Sequence, residues 1–424
     1  MKKALTAMLA LATLTACDQR AALTEVARCN REAGEMSAQL AQAQSAQTAA
    51  ERKAQALDDQ LRAAQAEIAA LQRKGGGAAE AATAVAKVDD GAAELAAAAV
   101  LAPPPPPVAP SKKGALRIGL SLPTHQEERW VKDKLTMLAE AKKRGVELLV
   151  QVSENDAAKQ VAQCDALIAS GIKVLILAPV DASGAAVIVD KAVKAGVQVI
   201  SYDRLVTDSV QDYYYLSFDN VKVGELQGEW LTKRIAKGNF IVLAGSPTDN
   251  NAKLFKEGAM KYVKPLVDKG QVKVVFEQFV PGWTPAEAQK MCEGVLAAGT
   301  KVDAVLAPND GTAGGCINAL QGHGLAGKVP ITGQDAELAA AQRIIQGTQS
   351  MTVFKDTRQL GKEAISMADA LVRGRPIETN GRTVSNNKRP VKSVLLTPYL
   401  VTKENLDQML IGSGYLNRAA VYRK

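Results

Sequence analysis

Polar and aromatic side chains suited to binding a small polar molecule follow directly after the predicted strands of an alternating strand–helix region. These side chains are Glu128, Arg129, Trp130 and Lys132, Asp203 and Arg204, Asp249, Asn250 and Asn251, Trp283, Asn309 and Asp310, Gln334 and Asp335, and Lys355. In open α/β sheets, ligands bind beyond the carboxyl ends of the strands, so residues that follow strands share one edge. These side chains therefore form a candidate binding site.

The composition of this set is typical of a sugar-binding site. A single Asp or Asn after a strand is more often a helix N-cap than a ligand contact, and Trp130 and Trp283 could each be core aromatics. Together, however, these two are two of the three tryptophans in the chain. Pyranose rings present C–H faces to aromatic rings, and their hydroxyls pair with planar carboxylate, amide and guanidinium groups. The set therefore predicts a site for one monosaccharide.

Other kinds of site lack the residues that they need. The predicted loops carry no Ser-His-Asp or Cys-His arrangement and no phosphate-binding glycine fingerprint, and the chain has only two histidines, His125 and His323. No C-x-x-C pair is present, so a zinc site would have few ligands. The sequence thus predicts no catalysis, no metal and no cofactor. Cys292 and Cys316 could lie on neighbouring helices. The sequence leaves open whether Cys164, Cys292 and Cys316 form any disulfide.

The charge of the chain is mildly basic and evenly spread. The formal net charge is +8, and loss of Lys2 and Lys3 with a leader lowers it to +6. Lysines and arginines form no dense block in the globular region, which indicates a solvated surface rather than nucleic-acid binding. A chain of 424 residues is long enough for two lobes and accessory segments.

The candidate site depends on strands and helices that begin to alternate at Ala115. Strands are predicted at 116–120, 147–152, 173–178, 197–202 and 213–218, with helices near 128–144, 157–170 and 183–195, and then strands near 239–244, 272–278, 302–307, 329–333 and 350–354. The apolar runs Val174–Leu177 and Phe240–Leu243 suit strands covered by helices on both faces. The pattern predicts two parallel sheets in series, and hence two α/β lobes.

The chain begins with a predicted signal peptide at residues 1–16. Lys2 and Lys3 precede an apolar stretch, Ala4–Leu14, that is too short to span a membrane. It ends in Leu14-Thr15-Ala16-Cys17, which resembles the lipobox of bacterial lipoproteins. This motif predicts lipidation of Cys17, and more than one acyl chain would make the anchoring permanent. The alternative is an ordinary secretory peptide with Cys17 incidental.

Residues 17–74 are predicted to carry a coiled-coil helix. A seven-residue apolar pattern runs from Val26 to Leu71 without proline, which corresponds to a helix of about 70 Å. One helix cannot bury this apolar stripe alone, so we expect the helix to associate with copies of itself. Gln47 is a polar residue within the stripe that would fix the register of the paired helices. The alternative is a solitary helical spacer. Residues 75–114, rich in Gly, Ala and Pro, form a predicted linker.

The globular region resembles the D-xylose-binding branch of the type I sugar-receptor family, from roughly Leu116 to the C-terminal region. The matching segments are Glu128–Asp133, Ala195–Val197, Tyr202–Arg204, Ser217–Asn220, Lys222–Gln227, Gly245–Pro247, Asp249–Phe255, Asp310, Thr312–Gly315, Gly333–Ala336, Gly347–Gln349 and Met351–Val353. The Asp249–Phe255 and Gly333–Ala336 runs are specific to the xylose branch. Pro123-Thr124-His125-Gln126 departs from the acidic first loop of that branch, which leaves the exact sugar preference open.

The resemblance implies a type I periplasmic-binding-protein fold, with two Rossmann-like parallel-sheet lobes joined by three crossings near Phe218, Lys355 and Leu396. The N-terminal lobe would comprise 115–218 and 356–396, and the C-terminal lobe 219–355 and 397–424. The resemblance also implies that a sugar lies between Trp130 and Trp283. Its hydroxyls would bond to Arg129, Lys132, Asp203, Arg204, Asn251, Asn309, Asp335 and Lys355.

The function implied by the resemblance is binding of a sugar without catalysis. The lobes would close on D-xylose or a related monosaccharide and present it to an ABC permease at the periplasmic face of the membrane that holds the lipid anchor. The alternative is a sensor that passes sugar occupancy to a membrane signalling partner. A transcription repressor with the same lobes would need a helix-turn-helix where this chain has a leader.

Overall fold

A computed structural model describes residues 116–423 of the chain. The predicted signal peptide, Cys17, the coiled coil and the linker lie outside these residues. Within residues 116–423, no helix has both the length and the apolar content needed to cross a membrane.

The described residues alternate strands and helices through most of their length. In chain order the elements are β1 (Arg117–Leu122), α1 (Glu128–Arg144), β2 (Glu147–Val152), α2 (Ala157–Ala169), β3 (Val174–Leu177), α3 (Ala186–Lys194), β4 (Gln198–Tyr202), β5 (Tyr214–Phe218), α4 (Asn220–Arg234), β6 (Gly238–Ala244), α5 (Asn250–Asp268), β7 (Val272–Phe279), a 3₁₀ turn (Pro281–Trp283), α6 (Pro285–Ala297), β8 (Ala304–Leu306), α7 (Asp310–Gly322), α8 (Leu338–Gln346), β9 (Thr352–Phe354), α9 (Thr357–Val372), β10 (Thr383–Ser385), β11 (Pro390–Leu396), β12 (Tyr399–Val401), a π-helical turn (Asp407–Gly412) and α10 (Arg418–Val421).

The first lobe is built on a seven-stranded sheet in the order β10-β11-β5-β4-β3-β1-β2. Its strands are parallel except for β10, which pairs antiparallel with β11. The interior strand β3 is buried along its whole length, as its unbroken Val174–Leu177 run predicts for a strand covered on both faces. Helices α1 and α9 cover one face, where Met137 and Leu360 join one apolar cluster. The sequence did not indicate β10 or β11.

The second lobe has a three-stranded parallel sheet, β7-β6-β8, and a separate antiparallel pair, β12-β9. The strand predicted at 329–333 is wrong, because that segment makes only a single bridge between Ile331 and Val305. The backbone ladder stops there since the Thr332 hydroxyl binds both the N–H and the carbonyl oxygen of Ala307, each at 2.8 Å. A side chain thus takes the place of the next pair of ladder bonds.

The chain passes between the two sheets in three places. It leaves the first sheet after Phe218, returns after Phe354 into α9, and leaves again after Leu396 to form β12 against β9. The first and third passages lie side by side, since Asp219 N–H donates to the Leu396 carbonyl at 2.9 Å. Each lobe is therefore assembled from segments that are distant in sequence.

A disulfide joins two helices of the second lobe. Cys292 of α6 and Cys316 of α7 are bonded and fully buried, and Cys164 in the first lobe is a free, buried thiol. The sequence left this pairing open, because the spacing of the cysteines does not reveal which helices are neighbours. The bridge ties α6 to the helix that begins beside the candidate site.

Removing this disulfide should lower the melting temperature without unfolding the protein. The bridge closes a loop with a sequence separation of 24, for which the loss of chain entropy corresponds to about 3 kcal/mol. A Cys292→Ala/Cys316→Ala double variant should therefore melt about 5 °C lower in calorimetry. A reducing agent should lower the melting temperature of the wild type and leave the double variant unchanged. A wild-type melting temperature that is insensitive to reduction would contradict this role.

Candidate functional site

The structure brings nine of the ten predicted sugar contacts to a single cavity between the lobes. The cavity is lined by Glu127, Arg129, Trp130, Asp203, Arg204, Asp249, Asn251, Phe255, Trp283, Asn309, Gln334, Asp335 and Lys355. The empty space within this lining, counted out to open solvent, is about 290 Å³. Asn251 of the second lobe donates to the Asp203 carbonyl oxygen of the first at 3.0 Å, so the lobes stand closed around a polar space.

Most lining residues occupy the position that the fold predicts, shortly after a strand. Arg129 and Trp130 lie in the first turn of α1, which follows β1, and Asn251 lies in the first turn of α5 after β6. Asp203 follows β4 with φ of 58°, and Asp335 has φ of 100°. Left-handed backbone is unfavourable for residues other than glycine and often occurs at functional sites. The backbone at these two aspartates is therefore held in place by its surroundings.

Two cations and two carboxylates form an ion network across the cavity. Arg129 Nη1 donates to Asp203 Oδ2 at 2.7 Å and lies 3.9 Å from Asp335 Oδ1. Lys355 Nζ lies 3.2 Å from Asp335 Oδ1 and 3.8 Å from Asp203 Oδ2. All four side chains are at most 5% exposed. Because Asp203 belongs to the first lobe and Asp335 to the second, the two cations lie between acids from both lobes.

Asp133 and Tyr202, which do not line the cavity, hold the Arg129 side chain in place. Arg129 Nε donates to Asp133 Oδ2 at 3.1 Å, and the Tyr202 hydroxyl donates to the other oxygen of Asp133. Both partners are fully buried in the first lobe. Arg129 is thus fixed by two carboxylates, those of Asp133 and Asp203, and its remaining nitrogen Nη2 is free to bind something else.

Each of the two tryptophans donates its indole N–H to a buried acid. Trp130 Nε1 donates to Glu127 at 3.0 Å, and Trp283 Nε1 donates to Asp249 at 3.1 Å. Arg204 connects these acids, since its Nε lies 2.9 Å from Asp249 and its Nη2 lies 3.9 Å from Glu127. Buried indole N–H groups usually find such a partner. These contacts orient both rings and join an acid from each lobe through one guanidinium.

Local charges set the ionisation of the buried acids. Burial raises the pKa of Asp203, but the charge of Arg129 and then that of Lys355 outweigh burial and hold the pKa below its ordinary value. Burial prevails for Asp249, whose pKa is raised although Arg204 opposes the change. Burial likewise raises the pKa of Asp133 to about 6, with Arg129 opposing. Asp203 is therefore firmly anionic at neutral pH.

Two buried polar atoms at the cavity, the donor Arg129 Nη2 and the acceptor Gln334 Oε1, have no hydrogen-bond or ion-pair partner among the described residues. A third, Asp335 Oδ1, accepts no hydrogen bond from them but lies 3.2 Å from Lys355 Nζ. An unpartnered buried polar atom costs about 1–3 kcal/mol, so such atoms are rare unless a ligand or water satisfies them. A ligand with hydroxyls, which donate and accept, fits a site that offers both kinds of atom.

The structure places Lys132 outside the cavity lining. Its ammonium group lies 2.6 Å from Glu128 and 4.2 Å from the centre of the Tyr415 ring. Successive residues on a helix are rotated by about 100°. Because Arg129 and Asp133 occupy the face of α1 that is turned to the cavity, Lys132 points to the rim of the cavity. The predicted sugar contact for Lys132 therefore does not match its position.

Two lining residues, Glu127 and Phe255, were missed from the sequence, whereas Asp249 and Gln334 belonged to the candidate set but were assigned no sugar contact. Both Asp249 and Gln334 follow predicted strands. Asp249 was expected to be a helix N-cap and not a ligand contact, and it does accept a hydrogen bond from Asn251 N–H at 2.9 Å. Glu127 directly precedes α1 and gave no separate signal. Among the described residues, no group of three or more His, Cys, Asp or Glu side chains could hold a metal ion.

Comparisons with known proteins agree with this geometry. A family model described as the periplasmic binding protein domain matches residues 118–376. The chain is 42% identical over 301 residues to the D-xylose-binding periplasmic protein of Escherichia coli K12, covering 71% of this chain and 91% of that protein. It is 38% identical over 320 residues to the multiple sugar-binding periplasmic receptor ChvE of Rhizobium radiobacter, covering 70% and 90%.

A solved structure has the same fold over the described region. It is an ABC transporter solute-binding protein from Clostridium phytofermentans with bound β-D-glucose. The two chains superpose with a TM-score of 0.68 at 34% identity, and the match covers 72% of this chain and 99% of the other.

Proposed function

This chain belongs to the periplasmic binding protein family, with its type I α/β fold, and on that basis we propose that it is an extracytoplasmic receptor that captures one monosaccharide, D-xylose in preference to others, between its lobes. The observation that carries the proposal is the pair of unpartnered buried atoms, Arg129 Nη2 and Gln334 Oε1, in a cavity walled by two tryptophans. Sugar hydroxyls would satisfy these atoms while the pyranose ring lies against the indoles.

The preference for a pentose rests on two points. The E. coli relative is named for D-xylose, whereas the other comparisons include a multiple-sugar receptor and a protein with bound glucose. Side chains of both lobes line the cavity, so the extra hydroxymethyl group of a hexose would have to fit among them. Rejection of one small group is typically worth about 10–200-fold in affinity.

Lobe closure would follow from contacts that only the closed form can make. Arg204 of the first lobe contacts Asp249 of the second, and Asn251 Nδ2 donates to the Asp203 carbonyl oxygen at 3.0 Å. A sugar bound to both lobes would favour this arrangement because its affinity for the closed form exceeds that for the open form. Charge-assisted bonds of about 1.5–3 kcal/mol each are enough for micromolar binding after ordering costs.

We further propose delivery of the sugar to an ABC permease by a receptor held at the periplasmic face of the membrane through lipidated Cys17. The Cys292–Cys316 disulfide fits an oxidising compartment. A coiled coil from Val26 to Leu71 would cluster receptors near their transporter. The relatives are named as binding proteins, which fits a protein that is not an enzyme, and they do not favour the alternative of a sugar sensor.

Calorimetry of the purified full-length protein with free sugars tests the proposed function. We expect D-xylose to bind one to one with a Kd in the micromolar range or below, and D-glucose to bind about tenfold more weakly or worse. L-Xylose is the matched control, since it has the same composition but the mirror-image hydroxyl pattern, and we expect no binding. Absence of binding by every pentose and hexose tested would refute the proposal.

A further inference from the structure

We infer that Glu128 and Lys132 form a clasp between the lobes, which positions α1 over the bound sugar and slows its release without touching it. This inference rests on the proposed function, since it concerns how the same site retains its ligand. The clasp comprises Glu128 and Lys132 of the first lobe and Leu338 and Tyr415 of the second. Its four residues lie at the rim, outside the cavity lining.

The first contact of the clasp is a helix cap supplied by the opposite lobe. Glu128 Oε2 accepts from the backbone N–H of Leu338, the first residue of α8, at 2.9 Å. The N-cap residue of α8, Glu337, makes no side-chain cap bond of its own. The first N–H groups of a helix need partners and carry partial positive charge, so an acidic side chain is well placed there. If the lobes part, this N–H loses the partner that it has in the closed form.

Glu128, rather than Glu337, supplies the acidic group at the N-terminus of α8. Burial, followed by the carboxylates of Asp310, Asp335 and Glu128, raises the pKa of Glu337 to about 9. Burial and these neighbouring carboxylates therefore disfavour a negative charge on Glu337. The side chain that brings an acid to the first N–H of α8 comes from the other lobe.

The second contact uses the cation next to Glu128. Lys132 Nζ lies 2.6 Å from Glu128 Oε1, one helical turn away, and 4.2 Å from the centre of the Tyr415 ring. Tyr415 is buried in an apolar cluster of the second lobe and packs against Phe354 with ring centres 4.7 Å apart. A cation over an aromatic face is attracted by the negative charge density of the ring. The pair thus contacts a backbone group and a rigid aromatic ring of the second lobe.

The clasp is directly continuous with the binding cavity on both sides. Glu128 precedes Arg129 and Trp130 on α1, while Leu338 lies three residues after Asp335. When α1 is fixed to α8 at the rim, Arg129 is held against Asp203 and near Asp335. Glu128 and Lys132 are therefore positioning residues, and their loss should affect how long a sugar stays more than which sugar binds.

Stopped-flow measurement of sugar binding, with intrinsic tryptophan fluorescence as the signal, separates these effects. In the full-length protein, Glu128→Ala and Lys132→Met should each raise the dissociation rate of D-xylose about tenfold and leave the association rate unchanged. Glu128→Gln keeps an acceptor oxygen and should lose only about two- to threefold. The double variant should lose less than the product of the single losses, because the two side chains act as one unit.

Two exposed residues away from the clasp provide matched controls. Lys142→Met removes a cation from the last turn of α1, and Glu257→Ala removes an acid from the exposed face of α5. Neither change should alter the dissociation rate. Unchanged dissociation in all the clasp variants would overturn the inference. A changed order of affinity for D-xylose, D-ribose and D-glucose would also overturn it, because that result would mean direct sugar contact.

Failure of the proposed function gives a different result from failure of the clasp. If the wild type binds none of these sugars, the proposed function fails, and small-angle X-ray scattering of the sugar-free proteins then decides the clasp. A larger radius of gyration in the clasp variants than in the wild type and both controls supports the clasp. Identical scattering profiles overturn it.

Discussion

Asp203→Asn should weaken D-xylose binding at least 100-fold while the protein remains folded. One oxygen of Asp203 accepts from Arg129 at 2.7 Å and lies 3.8 Å from Lys355, so this single carboxylate organises both cations of the cavity. Removing its charge leaves two buried cations to share Asp335 and Asp133, at a cost typical of breaking a buried ion pair, about 3–5 kcal/mol. Titration calorimetry with D-xylose measures the loss of affinity.

Asparagine is the appropriate replacement because it preserves the backbone at this position. Asp203 has φ of 58°, a conformation that Asn adopts more readily than most residues. Its carbonyl oxygen accepts from Tyr215, Ser217 and Asn251, and all three bonds can persist in the variant. Cooperative unfolding in calorimetry should therefore be retained, although at a lower temperature.

A second aspartate provides the control for this substitution. Asp208 also has a left-handed backbone, with φ of 64°, but it lies outside the cavity. Asp208→Asn should leave the Kd for D-xylose unchanged. Equal affinity of Asp203→Asn and the wild type would show that the carboxylate does not organise the site, and weakened binding by Asp208→Asn would point to a general effect of the substitution.

The pH dependence of the Asp203 interaction follows from its lowered pKa. Since Arg129 and Lys355 depress the folded-state pKa below the ordinary value of 3.8, the carboxylate stabilises the closed cavity above pH 3.8. This contribution is lost only as the pH falls from 3.8 through the lower folded-state value. Its effect is therefore constant between pH 5 and 8.

The positions of the site residues could be predicted because parallel strands place their carboxyl ends together. The alternation of strands and helices indicates where each strand ends, and nine of the ten contacts that the resemblance implies among the residues after strands line one cavity. The partners of those residues could not be predicted in the same way. Asp249 binds the Trp283 indole N–H within the second lobe across 34 residues of chain, and Arg204 reaches Asp249 only where the two lobes meet, so no local pattern records either contact.

The misplaced elements have equally local causes. The segment 329–333 has the composition of a strand, but the Thr332 hydroxyl binds Ala307 where a further pair of ladder bonds would lie. Lys132 was placed in the site because it lies in the segment Glu128–Asp133, which resembles the xylose branch of the family. Its direction depends on the rotation of α1 and on Tyr415, which lies more than 280 residues further along the chain.

Gly245→Ala should impair sugar binding as severely as loss of the Trp283 ring. A Cβ atom at Gly245 would lie 1.9 Å from Cη2 of Trp283 and 2.2 Å from two further ring atoms, so the indole would have to leave its place. That ring forms one wall of the cavity, packs edge-on against Phe255 at 6.2 Å, and donates to Asp249. We expect an affinity loss of about 100-fold in both Gly245→Ala and Trp283→Ala, measured by calorimetry with D-xylose.

Two further variants separate the position of the ring from other effects of substitution. Trp283→Phe keeps an aromatic face but lacks the N–H that binds Asp249, so its affinity should fall between those of the wild type and Trp283→Ala. Gly294→Ala on α6 is the matched glycine control, because a Cβ there meets no atom within 4 Å, and its affinity should equal that of the wild type. Wild-type affinity in Gly245→Ala would mean that the indole can move without cost, and the ring would then not be a fixed wall against which a sugar packs.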